Sequence, residues 1–202
     1  MIKNIVFDLG NVLLTYRPYE YLQTKIHDEA KVKELHKEIF LSDEWAMLDR
    51  GTITEKKALD IIISRNPGNA KLIDYCMENW YDLLQPIEDT VRVVNMLKEN
   101  GCKLYILSNI HKLSYEYVVK KYDFFKLFDG STVSYEEKAL KPEPGIYERL
   151  IQKYGIDPCE TLFIDDMKDN IAKAEELGFK TVQFVDPITL KDKLYEYNII
   201  SI

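Results

Sequence analysis

The stretch Asn4–Leu13, NIVFDLGNVL, predicts a short strand that ends in one carboxylate. Residues 4–7 are mostly apolar and strand-forming, and Asp8 follows them directly. Gly10 and Asn11 tolerate unusual backbone angles, so the chain is expected to turn there. Ligands of open α/β sheets bind beyond the carboxyl ends of the strands, which makes Asp8 a candidate for chemistry. Taken alone, Asp8 is equally well explained as the cap of a turn.

The composition indicates an ordinary globular protein. The 202 residues suffice for one large α/β domain, or for a core with a small second unit. The formal net charge of −7 argues against nucleic acid as a partner. No stretch approaches the ~20 apolar residues of a membrane span, so we expect no membrane partner and a cytoplasmic location. Cys76, Cys102 and Cys159 lack metal-ligand spacing, which predicts reduced thiols used in packing. The sequence indicates no particular protein partner.

The segment between residues 16 and 85 predicts helices only. The pattern from Thr52 to Glu55 matches a capping box ahead of a helix over residues 58–63. A further helix is predicted from Ala70 to Leu84, with apolar residues on one face. We therefore expect an all-helical insert directly after the first strand.

From Pro86 onward, strand and helix patterns alternate, which is typical of a parallel sheet. Four further strands are predicted: Lys103–Leu107, Gly130–Ser134, Thr161–Ile164 and Thr181–Val185. The predicted architecture is an α/β core made of residues 1–15 and 86–202, with residues 16–85 as a second, helical unit.

Polar side chains follow several of these strands. Ser108-Asn109 and Asp165-Asp166 each come directly after a strand, and Lys141 lies in a loop before a helix. In a parallel sheet these positions share an edge with Asp8. Three converging carboxylates repel one another unless a cation neutralises them, and Mg²⁺ prefers oxygen ligands. A hydroxyl, an amide and an ammonium group around that ion suit a phosphoryl group, so the pattern predicts phosphoryl transfer with a carboxylate nucleophile.

In this order the residues resemble the four motifs of the haloacid dehalogenase-like hydrolase superfamily. The motifs correspond to Phe7–Val12, Leu107–Asn109, Lys141-Pro142 and Phe163–Asp166 with Asn170. The helical insert resembles the cap of the first subclass, including the segment Leu48–Thr54. The Asp-Leu-Gly-Asn form of the first motif resembles the branch that contains α-D-glucose-1-phosphate phosphatases. The resemblance implies a three-layer, Rossmann-like parallel-sheet core with an all-helical cap inserted after strand 1.

The resemblance also implies the metal site. Asp8 would be both nucleophile and ligand, and Mg²⁺ would be held by Asp8, the Gly10 carbonyl and chiefly Asp166. Asp165 would bind the ion directly or through water.

For the substrate, the resemblance implies that Ser108 and the backbone of Asn109 hold the transferring group. Lys141 would pair with the phosphate and with Asp8, and Asn170 would orient the acidic loop. The implied activity is Mg²⁺-dependent hydrolysis of a small phosphomonoester, such as an anomeric sugar phosphate, through an aspartyl-phosphate on Asp8.

One position departs from the superfamily pattern. Most of its phosphatases carry an acid-base aspartate two residues after the nucleophile, where this chain has Gly10. We expect either a bias toward esters with good leaving groups or replacement of that aspartate by water or a nearby side chain. His111 is the histidine nearest to the predicted site, and its position favours a solvated first-turn residue over a catalytic one.

Four residues around the insert are candidates for specificity: Tyr16, Arg17, Trp45 and Arg50. For Trp45 we favour a place in the cap core, and for Arg50 a surface or hinge ion pair.

Two other functions fit the same motifs. A carbon–halogen hydrolase would use Asp8 against carbon without Mg²⁺, although the acidic pair Asp165-Asp166 favours a metal site. A non-catalytic binding protein would keep the fold and have lost acid-base chemistry at Gly10.

Overall fold

The computed structural model describes residues 2–200. Five parallel strands form one sheet in the order β3-β2-β1-β4-β5. Their bounds are β1 Asn4–Phe7, β2 Lys103–Ser108, β3 Gly130–Val133, β4 Thr161–Asp165 and β5 Lys180–Gln183. The central strand β1 pairs in register with β2 and β4, so that Val6 lies opposite Tyr105 and Phe163. This register brings the ends of the three central strands to one edge of the sheet.

Eleven α-helices are found in the described part of the chain, and four short 3-10 segments join them. The helices between β1 and β2 are α1 Pro18–Lys25, α2 Glu29–Phe40, α3 Asp43–Asp49, α4 Glu55–Arg65, α5 Ala70–Met77 and α6 Glu88–Glu99. The later helices are α7 Lys112–Lys121, α8 Ser134–Glu137, α9 Pro144–Tyr154, α10 Lys168–Glu176 and α11 Pro187–Glu196. The 3-10 segments are Pro67–Asn69, Trp80–Leu83, Asp123–Leu127 and Pro158–Glu160.

The core has three layers because successive side chains of a strand point to opposite faces of the sheet. Ile5 and Phe7 pack on one face with apolar residues of α6, α7 and α11. Val6 packs on the other face with residues of α9 and α10, including Tyr147. All the residues of β1 are buried, as expected for a parallel strand covered on both sides. The predicted α/β, Rossmann-like architecture is confirmed.

Helices α1 to α5 and the 3-10 segment Trp80–Leu83 form a separate apolar cluster that includes Leu35, Trp45, Ile62 and Trp80. Tyr16 contacts both this cluster and the core cluster on one face of the sheet. The assignment of residues 16–85 as a distinct cap stays a prediction.

Three details of the predicted elements are wrong. The helix predicted over Ala70–Leu84 ends at Met77, because Asn79 adopts a left-handed conformation with φ of 57° before a 3-10 segment. The cap of α4 is Thr54, whose hydroxyl accepts from the Lys57 N–H at 3.2 Å, rather than Thr52. The last strand ends at Gln183, whereas the prediction extended it to Val185, which is exposed.

The cysteine prediction holds for one residue and fails for another. Cys76 is buried and Cys102 half-buried, whereas Cys159 is exposed in the 3-10 segment that precedes β4. Cys159 is therefore a surface residue and not a packing residue. No helix in the described residues is both long and apolar enough to cross a membrane.

Candidate active site

Asp8 lies just past the end of β1 and continues its pairing with β4. Its N–H donates to the Ile164 carbonyl at 2.9 Å. Its carboxylate oxygen Oδ1 accepts from the Leu9 N–H at 2.7 Å. Asp8 is 7% exposed, so the strand holds a nearly buried carboxylate at the sheet edge. The alternative of a simple turn cap does not account for the groups around it.

Lys141 lies between the carboxylates of Asp8 and Asp165. Its Nζ is 2.9 Å from Oδ1 of Asp8 and 2.6 Å from Oδ2 of Asp165. Burial lowers the pKa of Lys141, but the charges of the two carboxylates outweigh it and hold the pKa above its ordinary value. Lys141 is therefore a fixed positive charge beside Asp8.

Asp165 is held in place from the other side. The Asn170 amide donates to Oδ1 and Oδ2 at 3.0 and 3.1 Å, and the Met167 N–H donates to Oδ1 at 2.8 Å. With Lys141 on Oδ2, both oxygens of Asp165 are engaged. Asn170 orients the acidic loop in this way.

The carboxylates of Asp8, Asp165 and Asp166 form an acidic cluster, in which one oxygen of each lies within 4.8 Å of the others. Burial raises the pKa of Asp8 to about 7, and the charge of Asp165 adds to this effect. Burial and Asp165 also raise the pKa of Asp166. A cation would relieve this repulsion, and three carboxylates suit a hard divalent ion. The donor set thus fits Mg²⁺.

Asn109 fixes the backbone of the loop that carries Lys141. The Asn109 amide donates to the Lys141 carbonyl at 2.9 Å, and the Lys141 N–H donates to Asn109 Oδ1 at 2.8 Å. Ser108 ends β2 and is buried at the same edge. All the predicted site residues, including Gly10, lie at the same edge of the sheet, in the cavity lining or in the acidic cluster.

A cavity of about 320 Å³ opens above this edge. At the sheet edge it is lined by Asp8, Ser108, Lys141 and Asp166, which the sequence predicted as catalytic, substrate-binding or metal-binding residues. Its walls are mostly apolar and aromatic: Leu14, Tyr16, Phe40, Trp45, Trp80, Leu84 and Ile110. Asp49, at the end of α3, also lines the cavity. The cavity therefore lies between the sheet edge and helices α2 and α3.

The prediction of a solvated His111 is wrong. His111 is 3% exposed, because its ring stacks on Trp80 with centroids 5.2 Å apart and an interplanar angle of 23°. Its Nε2 lies 2.6 Å from the Ser114 hydroxyl, and its Nδ1 lies 3.7 Å from Glu55 Oε2. Burial lowers the pKa of His111 to about 4. The helix pattern could not reveal this environment, since Trp80 and Glu55 come from distant segments.

The four candidates for specificity differ in position. Tyr16 and Trp45 line the cavity, and Trp45 is also buried in the helical cluster, as favoured from the sequence. Arg50 forms an ion pair with Glu143 across a half-exposed surface. Arg17 does not line the cavity and lies 3.4 Å from Glu20.

Asn11 contacts the acidic pair and Ser134 supports two segments beside the site, and the sequence motifs gave neither residue a role. The Asn11 amide donates to Asp166 Oδ2 at 3.3 Å, from a backbone with φ of 54°. Ser134 Oγ accepts from the Ile110 N–H at 2.9 Å and donates to the Asp49 carbonyl at 2.5 Å. An asparagine in a turn that needs positive φ was a signal for Asn11. Nothing local marks Ser134, because its partners are far away in sequence.

Fold and site together define an α/β enzyme with a buried aspartate, a lysine and an acidic pair at the end of a parallel sheet. The model of the haloacid dehalogenase-like hydrolase family matches residues 2–178. The chain belongs to this family and is a hydrolase, as predicted.

Three relatives illustrate this membership. A sesquiterpene phosphatase from Aspergillus oryzae is 24% identical over 92% of this chain and 91% of its own length. A D-ribitol-5-phosphate phosphatase from Bacteroides thetaiotaomicron is 25% identical, over 91% of this chain and 92% of the relative. A crystal structure of a family enzyme from Bacteroides thetaiotaomicron, in complex with magnesium and inorganic phosphate, has a TM-score of 0.72. It is 29% identical and covers 90% of this chain and 93% of its own. This relative and the acidic cluster confirm Mg²⁺ as the predicted cofactor, and the phosphatases among the relatives confirm the predicted enzyme class.

Proposed function

We propose that this chain is a Mg²⁺-dependent phosphatase that hydrolyses a small phosphomonoester through a covalent intermediate on Asp8. The observation that carries the proposal is the grouping of Asp8, Asp165 and Asp166 beside the Lys141 ammonium at the floor of a cavity. A nucleophilic carboxylate needs this combination of cation and fixed ammonium to approach an anionic phosphoryl group.

Each residue has one task in the proposed reaction. The carboxylate of Asp8 attacks phosphorus and accepts the phosphoryl group. Lys141 binds a phosphoryl oxygen and lowers the pKa of Asp8 against the effect of burial, which favours the ionised nucleophile. Ser108 and the backbone at Asn109 hold the other oxygens. When bound, Mg²⁺ offsets the negative charge on the phosphoryl oxygens.

The hydrogen bonds of Asp165 and Asp166 indicate which of the two carboxylates is free to bind Mg²⁺ directly. Asp165 has both oxygens engaged by Lys141, Asn170 and a backbone N–H. Asp166 is half-buried and accepts one long side-chain bond from Asn11, at 3.3 Å. We therefore assign direct ligation to Asp166, together with Asp8 and the Gly10 carbonyl, and contact through water to Asp165.

We propose a sugar phosphate as the substrate, bound under the helices of residues 16–85 acting as a cap. The D-ribitol-5-phosphate phosphatase among the relatives supports this class. So does the resemblance of the first motif to the α-D-glucose-1-phosphate phosphatase branch. We also propose that the enzyme acts in the cytoplasm, as predicted from the sequence.

The walls of the cavity support a second candidate. Phe40, Trp45 and Trp80 offer large apolar surfaces to the cavity above the phosphate site. Such walls suit an ester with an apolar alcohol, which gains free energy on leaving water. The sesquiterpene phosphatase among the relatives supports this class too.

Phosphate release from a panel of esters tests both candidates. The panel contains α-D-glucose 1-phosphate, D-ribitol 5-phosphate, farnesyl phosphate and 4-nitrophenyl phosphate, each with Mg²⁺ and with EDTA. We expect turnover that requires Mg²⁺ and is absent in the Asp8→Asn variant, with the highest kcat/KM for the sugar or the prenyl ester.

Three results would contradict the proposal. Dehalogenation of a 2-haloacid that persists in EDTA would favour the carbon–halogen hydrolase. No turnover of any ester, with Mg²⁺ still bound, would favour the binding protein. Phosphate release by Asp8→Asn equal to that of the wild type would exclude Asp8 as nucleophile.

A further inference from the structure

Gly10 leaves the reaction without a proton donor for the departing alcohol. The backbone there could carry a side chain, because a Cβ built on Gly10 meets only Tyr16 Cβ within 4 Å, at an ordinary 3.7 Å. The place where most phosphatases of the superfamily have an aspartate is thus open space that borders Tyr16. Tyr16 lines the cavity above Asp8.

Asp49 is another acidic residue of this cavity. It is the last residue of α3, and it lines the same cavity as Asp8, Lys141 and Tyr16. Among the described residues, no side chain or backbone N–H donates to its carboxylate. The charge of Asp49 adds to burial in raising the pKa of the Tyr16 hydroxyl. Burial raises the pKa of Asp49 itself to about 7.

The backbone at Asp49 is held against the loops that carry the site. Ser134 Oγ donates to the Asp49 carbonyl at 2.5 Å and accepts from the Ile110 N–H, two residues beyond Ser108. The Lys138 ammonium donates to the Gly51 carbonyl at 2.6 Å. These bonds fix the end of α3 relative to the sheet edge.

A second set of bonds reaches the loop of Lys141. The Arg50 Nη1 donates to Glu143 Oε2 at 2.9 Å and to the Lys138 carbonyl at 3.3 Å. Glu143 is two residues after Lys141. The end of α3 is therefore hydrogen-bonded to the segments that follow Ser108 and that flank Lys141.

Other cavity groups do not serve as the acid. His111 has one ring nitrogen engaged by Ser114 and the other facing Glu55, and its pKa of about 4 disfavours the imidazolium form that would act as an acid. Burial raises the pKa of Tyr16 above that of an ordinary phenol, so its proton is bound too firmly.

We propose that Asp49 is the general acid and base of the reaction and replaces the carboxylate missing at Gly10. The inference rests on the proposed function. As Asp8 attacks phosphorus, the bond from phosphorus to the ester oxygen breaks, and that oxygen takes its electron pair and the proton of Asp49. The Asp49 carboxylate then accepts a proton from the water whose oxygen attacks the aspartyl-phosphate. Inorganic phosphate leaves, Asp8 is restored as a carboxylate, and Asp49 is protonated again.

The leaving group provides the test. A basic alkoxide needs the proton, whereas 4-nitrophenolate leaves without it. In Asp49→Asn, which keeps the shape of the protonated acid, we expect kcat/KM for D-ribitol 5-phosphate to fall by about 10²-fold or more, and that for 4-nitrophenyl phosphate to fall less than about tenfold. Asp43→Asn, an exposed acid on the same helix, is the matched control and should behave as wild type.

The double variant Gly10→Asp with Asp49→Asn adds a second readout. The open space at Gly10 accepts the new side chain, so this variant should regain activity toward the alkyl ester relative to Asp49→Asn. Equal losses for both esters in Asp49→Asn, or no loss, would overturn the inference alone, since the wild type would still be a phosphatase. A wild type without turnover of any ester would instead overturn the proposed function, and the inference with it.

Discussion

The Lys141 ammonium compensates two buried carboxylates at once, those of Asp8 and Asp165. Removing one partner of a buried charge group leaves the others uncompensated, which costs several kcal/mol in typical cases. A loss of activity in a Lys141 variant would therefore mix catalysis with stability. Variants of residues outside this group leave the buried charges compensated, and therefore test the structure more clearly.

His111 offers such a test through the pH dependence of stability. Its pKa falls from 6.5 to about 4 on folding, because burial disfavours the charged ring. Between these values the unfolded chain binds a proton that the native chain does not, so stability falls as pH falls from about 7 toward 4. We expect His111→Gln to lose this dependence, so that the difference in unfolding free energy between wild type and variant shrinks by roughly 2 to 3 kcal/mol over that range.

Urea unfolding at several pH values measures this difference, and the exposed His27 supplies a control. His27→Gln should keep the pH dependence of the wild type. A His111→Gln variant that loses stability in parallel with the wild type down to pH 4 would show that His111 does not titrate as its buried position requires.

Sequence reasoning identified the residues that follow strands and missed those that reach the site from elsewhere. Asp8, Ser108 and Asp165 were predictable because parallel strands bring their carboxyl ends to one edge. The placement of Asp49 in the cavity and the packing of His111 on Trp80 depend on how distant segments of the chain come together. Periodicity reports which face of a helix is apolar, but not what that face meets.

At the level of elements, the segment from Asp49 to Gly51 joins the helical segment to the chain around Lys141 through several hydrogen bonds. Gly51 has φ of +70°, and a Cβ there would lie 2.3 Å from the Tyr135 carbonyl oxygen. Both the backbone angle and the close approach exclude a larger side chain. The glycine is thus required for the segment to pack against α8.

This contact predicts the behaviour of Gly51→Ala. The added methyl must displace the segment from Tyr135, so we expect a loss of about 1–3 kcal/mol in unfolding free energy, together with a lower kcat/KM because Asp49 moves with the segment. Gly68→Ala is the matched control, since nothing lies within 4 Å of a Cβ at that position. It should change stability by less than about 1 kcal/mol and leave kinetics unaltered.

Denaturant unfolding and steady-state kinetics on both variants check this prediction. If Gly51→Ala is as stable and as active as Gly68→Ala, the segment is not held where the structure has it, and the link between the two units is looser than described.

Element boundaries were predictable where the sequence contains a local stop. Gly101, with φ of +79°, follows α6 as expected from its place after the apolar pattern. The break at Asn79 was not predictable, because apolar residues continue at helical spacing through Leu83. Trp80, which follows the break, packs on His111, and that contact joins two distant segments.

At the level of the whole molecule, two connecting segments join the helices of residues 16–85 to the core, one at Thr15 and one at residues 83–85. The two segments are hydrogen-bonded to each other. The Thr15 N–H donates to the Gln85 carbonyl at 2.8 Å, and the Thr15 hydroxyl donates to the Leu83 carbonyl at 2.6 Å. The separate apolar clusters of the two units meet beside this pair, where the cavity opens. The arrangement follows from inserting a helical segment directly after the strand that carries Asp8.

In the proposed reaction, the Asp8 carboxylate receives the phosphoryl group. Rapid acid quench of the enzyme with Mg²⁺ and 4-nitrophenyl phosphate, followed by mass spectrometry of its peptides, measures this directly. We expect a phosphorylated peptide that contains Asp8 within the first turnover in the wild type, and none in Asp8→Asn or in EDTA. Phosphate release without a phosphorylated peptide, or a phosphoryl group on another residue, would contradict it.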